Sequence, residues 1–145
     1  YLPGELIAAF LWAQLEEAGE ITENRIARWR RYHEMLEPLE KEGLLRRPVI
    51  PAHCLHNAHM YYVLLAPDID RQPVLDELKK QGIYAVFHYV PLHSAPAGRR
   101  YGRAHGAMSR TDNLSVRLIR LPLWHGLPRA AQERTVESLY TALHR

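Results

Sequence analysis

The feature that most constrains the fold is the short run of strand-forming residues at 60–65, MYYVLL. Its β-branched and aromatic residues predict a strand, and Pro67-Asp68 ends it. Two other runs, at 83–89 and at Leu118–Leu121, have the same character and can supply its partners. Helical patterns separate the three runs. The sequence therefore predicts an α+β fold, with about three short strands and helices packed on one face of the sheet.

Five segments have the composition or periodicity of helices. The first, at 3–18, is apolar almost all round and should be buried, either within this chain or against another surface, and Gly19 is its expected stop. The second, at 21–42, places apolar residues at heptad-like spacing between charged faces. Shorter helices are expected at 72–81 and 111–117, and a final helix should follow Leu127-Pro128. The segment 47–58, with two prolines, is expected to be a loop.

Length and composition exclude several classes of protein. A chain of 145 residues with 47% hydrophobic and 24% charged residues is typical of one ordinary globular domain. Its net charge of +3 is too small to indicate a nucleic-acid-binding surface, and no apolar run is long enough to span a membrane. The single cysteine, Cys54, cannot form an internal disulfide and fits a reducing, cytoplasmic setting.

Four potential metal ligands lie close together in the segment 53–59: His53, Cys54, His56 and His59. Imidazole and thiolate groups suit zinc, but this spacing matches none of the common structural zinc patterns. A polar loop that leads into the strand at 60–65 explains the same residues. The chain also lacks the glycine-rich phosphate and dinucleotide motifs and the nucleophile elbow of hydrolases.

The segment 85–102, AVFHYVPLHSAPAGRRYG, is the strongest candidate for a binding site. His88 and Tyr89 end a predicted strand, where sheet proteins often place ligands. Beyond them, the loop carries guanidinium groups that suit phosphate or carboxylate. Its candidate side chains are His88, Tyr89, His93, Arg99, Arg100 and Tyr101. The residues by themselves leave open whether this is the rim of a site or an edge strand followed by a solvated loop.

Four stretches resemble one known family in order and without large gaps: YLPGELIAAFLWAQLEE, NAHMYYVLL, AVFHYVPLHSAPAGRRYG and LIRLPLWHGL. Together they are similar to the C-terminal part of the DegT-type sugar-nucleotide aminotransferases, which are fold-type I enzymes dependent on pyridoxal 5'-phosphate. The resemblance covers essentially all of the chain. It implies that residues 1–145 form the small C-terminal domain with its leading helices.

The resemblance also implies that the catalytic machinery lies elsewhere. In the family, a large N-terminal domain carries the lysine that forms a Schiff base and most of the contacts to the cofactor. Lys41 lies at the end of a charged helix, and Lys79 and Lys80 lie on the short helix before Gly82, so none is in a context that would desolvate an amine for imine chemistry. The chain also begins at Tyr1 and enters an apolar helix at once. We therefore expect a piece of a longer enzyme that is inactive alone, and no residue here can be assigned to the cofactor.

Within the family, the HY-x-PLH-x-x-PAG version is most similar to members that act on dTDP-4-keto-6-deoxyglucose. These members transfer an amino group from glutamate to C4 and form dTDP-4-amino-4,6-dideoxygalactose for enterobacterial common antigen or related lipopolysaccharide sugars. The resemblance implies a homodimer, with His88 and Tyr89 facing the sugar cleft and the remaining candidates at its rim. The alternatives are a free-standing anion-binding module and a His/Cys metal-binding module.

Overall fold

The computed structural model describes residues 2–145, which form seven helices and a three-stranded sheet. The helices are α1 (Glu5–Glu16), α2 (Ala18–Met35), α3 (Glu37–Lys41), α4 (Arg71–Lys80), α5 (Pro96–Tyr101), α6 (Ser109–Arg117) and α7 (Arg129–Leu143). The strands are β1 (Leu45–Arg46), β2 (Tyr61–Leu65) and β3 (Leu118–Leu121). In this part of the chain, no helix is both long and apolar enough to cross a membrane.

The sheet is antiparallel throughout, in the order β1-β2-β3. In its centre, Tyr61 pairs with Leu121 and Val63 pairs with Ile119. Side chains alternate between the two faces of a strand, so these four residues lie on the same face. All four are buried. The predicted α+β class with three short strands is confirmed.

The helices cover this buried face. The side chains that fill the space between them and the sheet are Tyr32, Leu36, Leu39, Val74, Leu78 and Leu139, from α2, α3, α4 and α7 and the junction of α2 with α3. The buried amide of Gln132 joins α7 to α2, because its Nε2 donates to the Arg28 carbonyl and its Oε1 accepts from Arg31. The prediction that helices pack on one face of the sheet is confirmed.

The predicted strand at 83–89 is wrong as a strand, although the segment does run along the free edge of β3. Only Val86 pairs with that edge, by exchanging two hydrogen bonds with Arg120. In an antiparallel pair, alternate residues of a strand direct their backbone N–H and C=O groups to the same edge. After Arg120, Leu118 is therefore the next residue of β3 that could pair with this segment. The Leu118 carbonyl accepts from the Arg71 guanidinium instead. The third strand is β1, within a region where the sequence predicted no strand.

The helix expected at 21–42 is longer at its start and is divided near its end. Gly19 does not stop a helix but lies inside α2, whose first residue is Ala18. A turn at Leu36 separates α2 from α3. Pro38, in the first turn of α3, has no N–H to continue the bonding of α2, so the helix breaks there.

No residue of α1 is buried in the described part of the chain. Its six large apolar side chains are between 51% and 88% exposed: Leu6, Ile7, Phe10, Leu11, Trp12 and Leu15. Isolated apolar residues on a surface are ordinary, but a helix apolar almost all round marks an interaction surface. The sequence predicted that this helix is buried either within this chain or against another surface. Burial within residues 2–145 is wrong.

Candidate functional site

The candidate segment leaves the sheet edge after Val86 and folds into a tight turn. The Pro91 carbonyl accepts hydrogen bonds from the backbone N–H groups of Ser94 and Ala95. The Ser94 hydroxyl donates to the same carbonyl at 3.0 Å. Pro96 then opens α5, since its fixed φ suits a first helical turn. The predicted loop is therefore wrong at this point, because Gly98, Arg99 and Arg100 lie on the short helix α5.

Glycine is required at two positions of this segment because backbones approach closely. A Cβ at Gly98 would lie 1.5 Å from the Leu92 carbonyl oxygen. A Cβ at Gly102 would lie 2.8 Å from the Gly98 carbonyl oxygen. The spacing of the glycines in PAGRRYG thus holds α5 against the turn that precedes it, which sets where the arginines of α5 project.

A cavity of about 750 Å³ lies between α5 and the start of α6. It brings together two predicted residues, His93 and Arg99, with Arg103 and His105, which the sequence analysis did not single out. His93 is 19% exposed, and its Nε2 lies 2.8 Å from Asp112 Oδ1. The cavity therefore gathers two guanidinium groups and two imidazoles, a set suited to a ligand with negative charge.

A second cavity, of about 340 Å³, lies beside Tyr89. Arg71 lines it, with its guanidinium carbon 5.1 Å from the centre of the Phe87 ring. Arg71 Nη1 also donates to the carbonyls of Ser115 and Leu118. Burial lowers the pKa of Arg71, yet an arginine remains a cation at neutral pH. Arg71 thus joins the candidate segment to α6, and its distance in sequence hid this role.

Three predicted residues are not among those that line the two cavities. His88 packs edge-on against Tyr89, with ring centres 4.6 Å apart. Arg100 lies over the Tyr101 ring at 5.0 Å, and both side chains face solvent. The structure therefore brings Tyr89, His93 and Arg99 to cavities, and leaves His88, Arg100 and Tyr101 beside them.

Residues 4–140 match the model of the DegT/DnrJ/EryC1/StrS aminotransferase family. The chain belongs to this family. A curated relative is the dTDP-4-dehydro-2,3,6-trideoxy-D-glucose 4-aminotransferase of Saccharopolyspora spinosa, 30% identical over 91% of this chain and 32% of its own length. The family expected from the four stretches of sequence is confirmed.

Solved structures of aminotransferases have the same fold over this part of their chains. A DegT/DnrJ/EryC1/StrS aminotransferase from Brucella abortus is 25% identical, with a TM-score of 0.80 over 95% of this chain and 35% of its own. The PLP form of Streptococcus pneumoniae Spr1654 is 18% identical, with a TM-score of 0.79 over 92% of this chain and 34% of its own. The chain therefore spans about a third of the length of these two proteins.

The lysines of this DegT-family chain do not fit the Schiff-base role. Lys41 Nζ lies 3.2 Å from Glu37, and Lys80 Nζ lies 3.7 Å from Glu77. All three lysine side chains, including Lys79, are exposed to solvent. An imine-forming lysine lies where its amine is desolvated or stands beside another cation. These three lysines are exposed, and two of them lie beside carboxylates.

The four histidine and cysteine residues of 53–59 do not converge. His56 packs edge-on against Trp29, with ring centres 4.7 Å apart, and His59 Nδ1 lies 3.1 Å from the Asn57 side chain. Cys54 is exposed. Across residues 2–145, no three His, Cys, Asp or Glu side chains are placed to hold a metal ion. In the structure, the segment is part of the loop that leads into β2.

Proposed function

We propose that this chain is the small domain of a longer, pyridoxal-phosphate-dependent sugar-nucleotide aminotransferase. The observation that carries the proposal is the family match over residues 4–140. The chain spans about a third of the length of its relatives, which leaves room for a large domain with the Schiff-base lysine. When bound there, the cofactor supplies the electron sink for moving an amino group. This chain then supplies one wall of the substrate cleft.

The proposed substrate is dTDP-4-keto-6-deoxy-D-glucose, which would receive an amino group from glutamate at C4. The product would be dTDP-4-amino-4,6-dideoxygalactose, for enterobacterial common antigen or a related surface polysaccharide. Two features support this choice: the HY-x-PLH-x-x-PAG sequence, and the relative whose name gives a dTDP-4-dehydro sugar and amination at C4.

The cavity between α5 and α6 would hold the diphosphate of the sugar nucleotide. Arg99 lines this cavity together with Arg103, and His105 adds a third donor. Guanidinium groups bind phosphate oxygens through two parallel N–H donors. A nucleotide sugar carries its charge on the diphosphate, so this end of the ligand belongs near these residues. Arg100 and Tyr101, on the solvent side of α5, would extend the rim.

The sugar would lie towards His88 and Tyr89, where it can be oriented by hydrogen bonds. Tyr89 presents an exposed phenol that can donate to a sugar oxygen. His93 has a defined proton position, because Asp112 Oδ1 can only accept and so favours the proton on His93 Nε2. In the neutral ring, Nδ1 is then an acceptor for a sugar hydroxyl.

The exposed face of α1 would pack against the large domain or across a homodimer interface. Its six large apolar side chains are each more than half exposed within the described residues. Placing such a face in water is unfavourable by roughly 25 cal/mol for each Å² of apolar surface.

The function can be tested with the full-length protein, supplied with pyridoxal phosphate, glutamate and dTDP-4-keto-6-deoxyglucose. We expect the amino sugar to form, as measured by mass spectrometry, together with 2-oxoglutarate. The 145-residue chain alone should give no product and no borohydride-trapped adduct on a lysine. Amination of other keto sugars only would reject the proposed substrate. A stoichiometric adduct on Lys41, Lys79 or Lys80 would reject the domain assignment.

The site assignment has its own test. In the full-length enzyme, Tyr89→Phe and His88→Ala should lower kcat/KM for the sugar nucleotide while the cofactor absorbance stays unchanged. Tyr140→Phe and His53→Ala are matched controls, since they alter exposed residues of the same types outside the site. Wild-type kinetics for both site variants would show that His88 and Tyr89 do not contact the sugar.

A further inference from the structure

A cavity of about 390 Å³ lies apart from the candidate site. It is bounded by the turn after α4, the segment that follows β3, and the first turns of α7. Residues at its edge include Gly82, Tyr84, Trp124 and Arg134. It shares no lining residue with the two cavities described above. Nothing in the proposed aminotransferase chemistry uses it.

The lining of this cavity suits a flat aromatic group. Two exposed aromatic side chains line it, with Trp124 51% exposed and Tyr84 74% exposed. Beneath them, Ile83 and Leu127 are buried and apolar. Ligand pockets are usually concave, mostly apolar and of about 300–1,000 Å³, with few polar groups that fix orientation. Aromatic walls favour a ring that can stack or pack edge-on.

One cationic group on the cavity has no carboxylate partner. Arg134 Nη2 donates to the Gln81 carbonyl, which uses one of the five N–H donors of the guanidinium. Within residues 2–145, no carboxylate oxygen forms an ion pair with Arg134. Arg129, on the same helix, is paired with Glu133 at 2.6 Å. The contrast leaves Arg134 able to bind an anion at the edge of an apolar cavity.

We propose that this cavity binds a small, planar aromatic carboxylate. The ring lies against Trp124 and Tyr84, and the carboxylate accepts from the free N–H groups of Arg134. A neutral ligand of the same shape loses the charge-assisted bonds, which are about twice as strong as neutral ones. The site shares no lining residue with the two cavities of the candidate site, so its test does not depend on the proposed sugar-nucleotide substrate.

The proposal can be tested with 2-naphthoate as the probe and the neutral 2-naphthamide as its isostere. Binding to the full-length protein is measured by titration calorimetry. We expect 2-naphthoate to bind at least 10-fold more tightly than the amide. Trp124→Ala should weaken 2-naphthoate at least 10-fold, whereas Arg134→Gln should remove the preference for the carboxylate. Arg134→Lys, which keeps the charge, should retain part of that preference.

Matched control variants identify where on the protein the probe binds. Tyr101→Ala and Arg100→Gln remove the same types of side chain from α5 and should leave 2-naphthoate affinity unchanged. The proposal is overturned if these two variants weaken binding and the Trp124 and Arg134 variants do not. It is also overturned if 2-naphthoate and 2-naphthamide bind equally, or if no binding is detected at millimolar probe. Circular dichroism of each variant verifies that the fold is intact.

Discussion

Adding one methyl group at Gly98 should open the candidate site. The Cβ of Gly98→Ala would lie 1.5 Å from the Leu92 carbonyl oxygen, whereas ordinary contacts at a Cβ begin at 3.4 Å. The first turn of α5 must therefore move by about 2 Å from the turn at Pro91. The obstacle is backbone rather than a flexible side chain, so the strain cannot be relieved by a rotamer change.

The expected cost is about 1–3 kcal/mol, the usual range for forcing an extra carbon into a packed position. That cost is equivalent to a roughly 5- to 150-fold increase in the population of the opened segment. Trypsin can report this increase, because the chain carries Arg99, Arg100 and Arg103 within and just after α5. When opening and closing are fast, the cleavage rate follows the population of the open form.

The matched control is Gly19→Ala, which adds the same methyl group to α2. A Cβ there meets no atom within 4 Å. It should stabilise the chain by about 0.4–1 kcal/mol, by reducing the freedom of the unfolded state. Cleavage at 99–103 should stay at the wild-type rate. If Gly98→Ala is cleaved no faster than Gly19→Ala, the close approach of α5 to Leu92 does not hold the site together.

Three further predictions concern the scaffold. Leu139→Ala removes a fully buried side chain and should cost about 2–5 kcal/mol in urea unfolding, whereas the exposed Leu2→Ala should cost almost nothing. Gln132→Leu should cost about 1–3 kcal/mol in the same assay, because the carbonyl of Arg28 loses its bond from the amide; an unchanged midpoint would contradict the bridge between α2 and α7. The Tyr140 carbonyl, and then Glu42, raise the pKa of His144 above its ordinary value near 6.5. Its stabilising contribution is therefore fully present below that value and disappears as the pH rises through the folded-state pKa. His144→Gln should remove this part of the pH dependence of unfolding, and parallel pH curves for the two proteins would contradict it.

The sequence predicted the elements whose evidence is local. The strand at β2 was visible because its β-branched and aromatic residues are contiguous and end at Pro67. The helices α4, α6 and α7 and the strand β3 appeared within a few residues of their observed bounds. The break between α2 and α3 also had a local signal, because Pro38 has no N–H to continue a helix.

The candidate site was predicted only in part, because only some of its residues are neighbours in the sequence. The run of histidines, tyrosines and arginines at 88–101 drew attention as a stretch of sequence. Arg71 was missed because it reaches the candidate segment through space, and Asp112 because its partner His93 lies 19 positions away. Arg103 and His105 lie just beyond the predicted segment 85–102. Their cationic or hydrogen-bonding side chains are a local signal of the same kind as those of Arg99 and His93.

Sequence alone determined the α+β class, most helices and strands, and membership of an aminotransferase family, because these depend on propensity, periodicity and ordered motifs. Only the tertiary structure decided that β1 completes the sheet and that 83–89 touches β3 at one pair. It also decided which side chains of the candidate segment reach a cavity. These outcomes depend on competition for backbone hydrogen bonds between distant residues. The Leu118 carbonyl, for example, accepts from the guanidinium of Arg71, whereas a strand at 83–89 would have needed that carbonyl for its own pairing with β3.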